Sequence, residues 1–169
     1  MKLKRNQKGF TLIEVLVAVG ILGAIMGVMA MTVVTIMIIS PKSNDQVIAL
    51  RQVQNAGYWI SRDVLGAKSV TPDDDPATPL LLTLIDGNDK TLVYELEDMA
   101  VGTKKLMRTD QDTGGQILIA EYIYYAPSEE GSTEMDYSSD ARTLTATIAA
   151  TSGKVTVTKQ YKATQRVPE

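Results

Sequence analysis

The chain has 169 residues, enough for one membrane helix and one modest globular domain, and its 17 basic against 20 acidic side chains leave a formal charge of −3. It holds neither cysteine nor histidine, which excludes disulfides, thiolate chemistry, the usual Ser-His-Asp and Cys-His systems and the common zinc sites. Carboxylate pairs remain, but no spacing places two of them in a pocket, so the chain reads as a non-enzyme.

The N-terminus opens on Lys2, Lys4, Arg5 and Lys8, continues as Gly9-Phe10-Thr11-Leu12-Ile13-Glu14, and then runs without a charge over residues 15–39. A bilayer core takes about 20 apolar helical residues, so this stretch can span it with some tilt. The positive-inside rule keeps the basic leader in the cytoplasm and puts everything beyond Pro41 on the far side. Glu14 stands at the start of the apolar run, where it either reaches back to the headgroups beside Lys8 or serves a function that outweighs its cost in lipid. A secretory signal peptide fits poorly, because its apolar region spans roughly 7 to 15 residues and its cleavage site follows that region. A lipoprotein anchor needs a cysteine, and a plain signal anchor would not require Gly9, Phe10 and Glu14 together.

The segment Lys8-Gly9-Phe10-Thr11-Leu12-Ile13-Glu14-Val15 resembles the prepilin signal of type IV pilins and type II secretion pseudopilins. The resemblance covers the first forty or so residues. It implies removal of leader 1–9 by a prepilin peptidase between Gly9 and Phe10, N-methylation of the Phe10 amine, and assembly through a transmembrane and filament-core helix over 10–40. Glu14 would neutralise the Phe10 amine of a neighbouring subunit. The implied partners are the peptidase, other pilin or pseudopilin subunits, an inner-membrane assembly platform and membrane lipid. The implied place is the inner membrane, then a periplasmic or extracellular filament. Gly9, lacking a Cβ, suits close approach of the backbone to a protease. Without the leader, 13 basic side chains face 20 acidic ones, and that excess gives no electrostatic footprint for nucleic acid.

Within the anchor, Gly23 and Gly27 have the small-xxx-small spacing that lets helices approach, though glycine is also simply common in membrane helices. Pilin anchors often carry a proline inside the apolar helix. Here the first is Pro41, beyond it. From there Val47, Leu50, Val53, Gly57, Ile60, Val64 and Ala67 recur every three or four residues, which predicts an amphipathic helix over 41–70. Tyr58 and Trp59 are expected in the core under the sheet. The breakers Thr71-Pro72-Asp73-Asp74-Asp75-Pro76 stop the helix near Val70. If Pro41 only bends the chain, helix from Phe10 to Val70 reaches roughly 90 Å.

The remainder, 71–169, reads as strands. Residues 80–85 and 91–97 flank the hairpin signal Asp86-Gly87-Asn88-Asp89. Residues 104–108 and 116–125 flank Asp110-Gln111-Asp112-Thr113-Gly114-Gly115, and residues 143–150 turn at Ser152-Gly153 into 154–161. The expected fold class is α+β: a long N-terminal helix packed on an antiparallel sheet, the pilin plan. Residues 54–64 followed by Leu92-Val93-Tyr94 look more narrowly like W-type minor pilins and J-type minor pseudopilins. The tip subunit of the secretion pseudopilus typically lacks the glutamate found here at Glu14, which argues against that role.

Asp110, Asp112 and Glu121 nearly fit the calcium loop of an EF-hand, with Ile117 at its apolar position. Their flanks read as strands, which favours an ordinary Gly-Gly turn. Asp73 to Asp75 likewise reads as a solvated loop. Tyr94, Tyr122, Tyr124 and Tyr125 read as sheet packing before a recognition surface. The functional expectation is a structural, minor subunit of a pilus or pseudopilus. The alternative is a single-pass anchored ectodomain that binds a ligand or hydrolyses one with carboxylates.

Overall fold

The computed structural model describes residues 9–73, 80–99, 102–127 and 129–166. Leader residues 1–8, and Asp74 to Pro76 of the acidic loop, lie outside them. The chain divides into two units, Met1–Pro41 and Lys42–Glu169. Helix α1 (Leu12–Gly66) contributes to both, and Pro41 lies inside it.

In the first unit the apolar side chains point outward, as they must if lipid is their solvent. The hydroxyls of Thr32 and Thr35 are spent inside the helix, donating to the carbonyls of Val28 and Met31 at 2.9 and 2.8 Å. Open space surrounds Gly20, Gly23 and Gly27.

In the second unit α1 buries Ala49, Val53, Ala56, Gly57, Ile60 and Val64 at helical spacing. Small residues on this face bring the backbone close to the sheet. A Cβ at Gly57 would run into the Tyr161 ring, so only glycine fits there without a shift. Two expectations fail on this helix: Val47 and Tyr58 are 43% and 60% exposed. Full burial starts two residues later than the pattern suggests, at Ala49, and only Trp59 of the aromatic pair turns inward.

The helix also stops earlier than Val70. Gly66, a poor helix former, ends it, and β1 (Ala67–Pro72) follows, with Val70 and Thr71 as its strand-favouring residues and β2 as its pairing partner. Ala67 and Val70 both stay buried although residues three apart face opposite sides of a regular strand, because the register shifts between Ala67 and Ser69. The other strands are β2 (Leu80–Asp86), β3 (Thr91–Asp98), β4 (Lys104–Asp110), β5 (Gly115–Ile123), β6 (Glu134–Ser138), β7 (Thr143–Ser152) and β8 (Val155–Thr164). All pair antiparallel in one eight-stranded sheet of order β1-β2-β3-β4-β5-β7-β6, with β8 added to β7. The strands foreseen from the hairpins are present, and β1 and β6 join them.

One face of the sheet covers α1. Leu82, Leu84, Tyr94, Leu106, Ile119, Ile123, Leu144 and Ile148 form a single core with Val53, Ile60 and Val64. At about 25 cal/mol per Å² of apolar area removed from water, this core is the main stabilising term in a domain without disulfides.

Strand β5 is irregular. Its register against β4 shifts between Lys104 and Leu106 and again before Met107, and Tyr122 takes φ 60°, a conformation unusual for a large side chain. The tyrosines after Ile123 therefore do not continue a strand. Tyr94 is fully buried, Tyr125 packs on the core, and the Tyr124 hydroxyl donates to Glu129.

Strand β5 meets β7 at one register pair, Ile123 with Ala150. Beyond that pair α1 takes the place of a strand: Gln52 Oε1 accepts from the Glu121 N–H at 2.9 Å and Asn55 Nδ2 donates to the Ile119 carbonyl at 2.5 Å. The stretch after β8 is tied down as well. Gln165 Nε2 donates to the Ala67 carbonyl at 3.1 Å, Tyr137 donates to Gln165, and the Arg166 N–H reaches the Leu65 carbonyl at 3.4 Å, one of the acceptors a helix end leaves open.

Candidate functional site

Gly9, Phe10 and Thr11 precede the helix, and Phe10 is 88% exposed. Thr11 is the N-cap of α1 and Glu14 its third residue. The Glu14 carboxylate accepts from the Thr11 N–H at 2.9 Å and the Thr11 hydroxyl at 2.8 Å, while the Glu14 N–H reaches the Thr11 Oγ1 at 3.4 Å. This is a reciprocal capping box, and its carboxylate also lies where the helix dipole favours a negative charge. The sequence signal for it is Thr-x-x-Glu before an apolar run. It accounts for Thr11, which the reading of the signal segment left without a role.

Glu14 borders a shallow hollow of about 310 Å³ whose other walls are Ile13, Val17, Ala18 and Ile21. An apolar group carrying a cation would meet hydrocarbon and carboxylate there side by side. The helix starts only after Thr11, so the Gly9-Phe10 peptide stands outside regular structure.

A second polar cluster, missed in the sequence, centres on Asp63. The Asp63 side chain lies on α1 and is only 5% exposed. Asp63 Oδ2 accepts from the Tyr94 hydroxyl at 2.8 Å and from Arg108 Nε at 2.5 Å, and Arg62 Nε lies 3.5 Å from Oδ1. The guanidinium carbons of Arg62 and Arg108 sit 4.4 and 5.6 Å from the centre of the Trp59 ring, within cation–π range. Burial, then the neighbouring Asp63 charge, pushes the Tyr94 hydroxyl far above the usual phenol range. Tyr94 therefore stays a neutral donor, and the cluster fastens α1 to β3 and β4.

The acidic loop suggested for calcium is arranged otherwise. Asp110 Oδ1 accepts from the N–H groups of Asp112 and Thr113 at 3.0 and 3.1 Å, and Asp110 Oδ2 lies 3.7 Å from Lys90 Nζ. Asp112 Oδ2 accepts from the Thr91 N–H at 3.1 Å, and Gly114 takes φ 69°. These lone pairs shape the β4–β5 turn. Glu121 lies six positions along β5 from Gly115, about 20 Å at strand rise, and is not brought to Asp110 and Asp112. Among the described residues no three acidic side chains gather in a way that could hold a cation.

Residues 4–30 match the family model of the prokaryotic N-terminal methylation motif. The chain thus carries a prokaryotic N-terminal methylation motif at the head of one long helix, on a pilin-like α+β fold whose sheet is antiparallel. No curated protein and no solved structure gives a significant match to it.

Proposed function

We propose that the chain is a structural, minor subunit of a type IV pilus or type II secretion pseudopilus and not an enzyme. The observation that carries this reading is the single window in which Gly9, Phe10 and Glu14 stand between a basic leader and an uncharged helix, inside the matched motif. Prepilin peptidase cleaves after Gly9, the Phe10 amine is methylated, and the mature subunit keeps its helix in the inner membrane with residues 42–169 outside. The hollow beside Glu14 supports the next step. A neighbour's Phe10 ring takes up the apolar wall while its amine meets the carboxylate, and each unpaired charge gives the subunits a register mark. The helix segment 54–64 and Leu92-Val93-Tyr94 favour a W-type pilin or J-type pseudopilin.

Intact mass of protein extracted from membranes tests the reading. A chain beginning at Phe10 with one added methyl group is expected. Retention of Met1 in cells with an active prepilin peptidase would end it.

A further inference from the structure

The face of α1 that the sheet leaves uncovered in the second unit is basic. Arg51, Gln54, Tyr58, Arg62 and Leu65 recur at helical spacing along it. Two hollows of about 450 and 640 Å³ share Gln54 and Tyr58, and Lys159 of β8 borders the larger. No carboxylate lines either one. Arg51 and Lys159 form no ion pair among the described residues, and Arg62, stacked on Trp59, has one ion pair there, the 3.5 Å contact with Asp63.

This patch belongs to a unit of opposite sign, since Lys42–Glu169 carries 13 basic and 19 acidic side chains. The negative charge is concentrated in residues 129–140, which hold Glu129, Glu130, Glu134, Asp136 and Asp140 and no basic residue. In β6, Glu134 and Asp136 flank the buried Met135, so they point to the outer face of the sheet, away from the core that holds α1. Among the described residues, Glu130, Glu134, Asp136 and Asp140 form no ion pair. Lys162 shares that outer face but stands two strands from Asp136, about 10 Å away at strand spacing.

We propose that the basic face of α1 in one copy receives the acidic β6 segment of the next. The two patches are different surfaces on opposite sides of the sheet, so the contact is head-to-tail and repeats from copy to copy. The proposal rests on the subunit reading, in which copies anchored in one membrane meet at a raised local concentration where a modest charged contact suffices. A second copy fits better than a nucleic acid, whose evenly spaced charges would meet the negative remainder of the unit.

The test uses full-length chains in membranes and exploits the lack of native cysteine. Gln54→Cys in one tagged chain and Ser138→Cys in another, both at exposed positions, should join through a short bismaleimide. Arg51→Glu with Arg62→Glu in the first chain should cut the yield about tenfold as attraction becomes repulsion, and Glu134→Arg with Asp136→Arg in the second should restore it. Arg51→Glu alone, at a residue outside the core, should lower the yield without altering the melting curve. An unchanged yield after charge reversal overturns the proposal, as does joining of two Gln54→Cys chains in preference to the mixed pair. A DNA oligonucleotide that binds the wild-type chain but not Arg51→Glu would assign the face to a polyanion and overturn it too. Intact mass of the same samples reads processing separately. Processed chains that fail to join defeat the contact alone, and unprocessed chains that join defeat only the subunit reading.

Discussion

Glu14 has two roles that substitutions can separate. A capping box accepts Gln as well as Glu at its third helical position, so Glu14→Gln keeps the helix start and removes only the charge. Thr11→Val does the opposite. Processing at Gly9 should persist in both, while recovery in sheared filaments should fall about tenfold or more for Glu14→Gln, the scale of an uncompensated charge, and less for Thr11→Val. Equal partitioning of wild type and Glu14→Gln between filament and membrane would show that the charge does not act in assembly. Asp63 offers a test of stability instead. Its side chain and that of Arg108 are 5% and 14% exposed, so Asp63→Ala strands a buried guanidinium and should cost about 3–5 kcal/mol in urea unfolding. Replacing both partners, as Asp63→Ala with Arg108→Met, should recover most of that loss. Gly9, Phe10 and Glu14 were legible because three unusual residues share one short window. Asp63 was not, because its partners Tyr94 and Arg108 lie on strands that only the fold brings to it.

Among the elements, the turns make the clearest statement about pH. The Thr113 N–H, with help from Asp112 and Lys90, holds the Asp110 carboxyl below its ordinary range, and the Lys90 N–H does the same for Asp86. A carboxyl whose folded pKa is depressed stabilises the fold above its unfolded value, and that contribution is lost as pH falls through the folded value. Asp110→Asn should therefore melt below wild type at pH 7, and the gap should close as pH drops below about 4. A constant gap across that range would assign the loss to something other than the charge. Hairpins with Asp-Gly or Gly-Gly turns could be read directly from the sequence. Strand β1 could not, because Ala67 and Val70 continue the helical spacing and a strand buries both only through a bulge, and β6 has only Met135 and Tyr137 to mark it within an acidic, serine-rich stretch. The bulges of β5 were invisible for a related reason: they answer to the helix amides of Gln52 and Asn55, far away in sequence.

At the scale of the whole molecule, the second unit has its own core and its own closure. The polar clasp of Gln165, Tyr137 and Ala67 ties the stretch after β8 to β6 and the start of β1. The segment from Lys42 onward should then fold alone as a soluble domain and unfold in one cooperative step, by fluorescence of Trp59 and by circular dichroism alike. Non-coincident transitions would mean that it needs a partner to fold. The amides of Gln52 and Asn55 bear on shelf life as much as on stability. They satisfy backbone groups on a strand that also exposes Ile117 and Leu118, at 46% and 45%. Alanine at both positions would leave a bare, partly greasy template for strand-by-strand growth, and concentrated solutions should turn cloudy and stain with thioflavin while the wild-type domain stays clear.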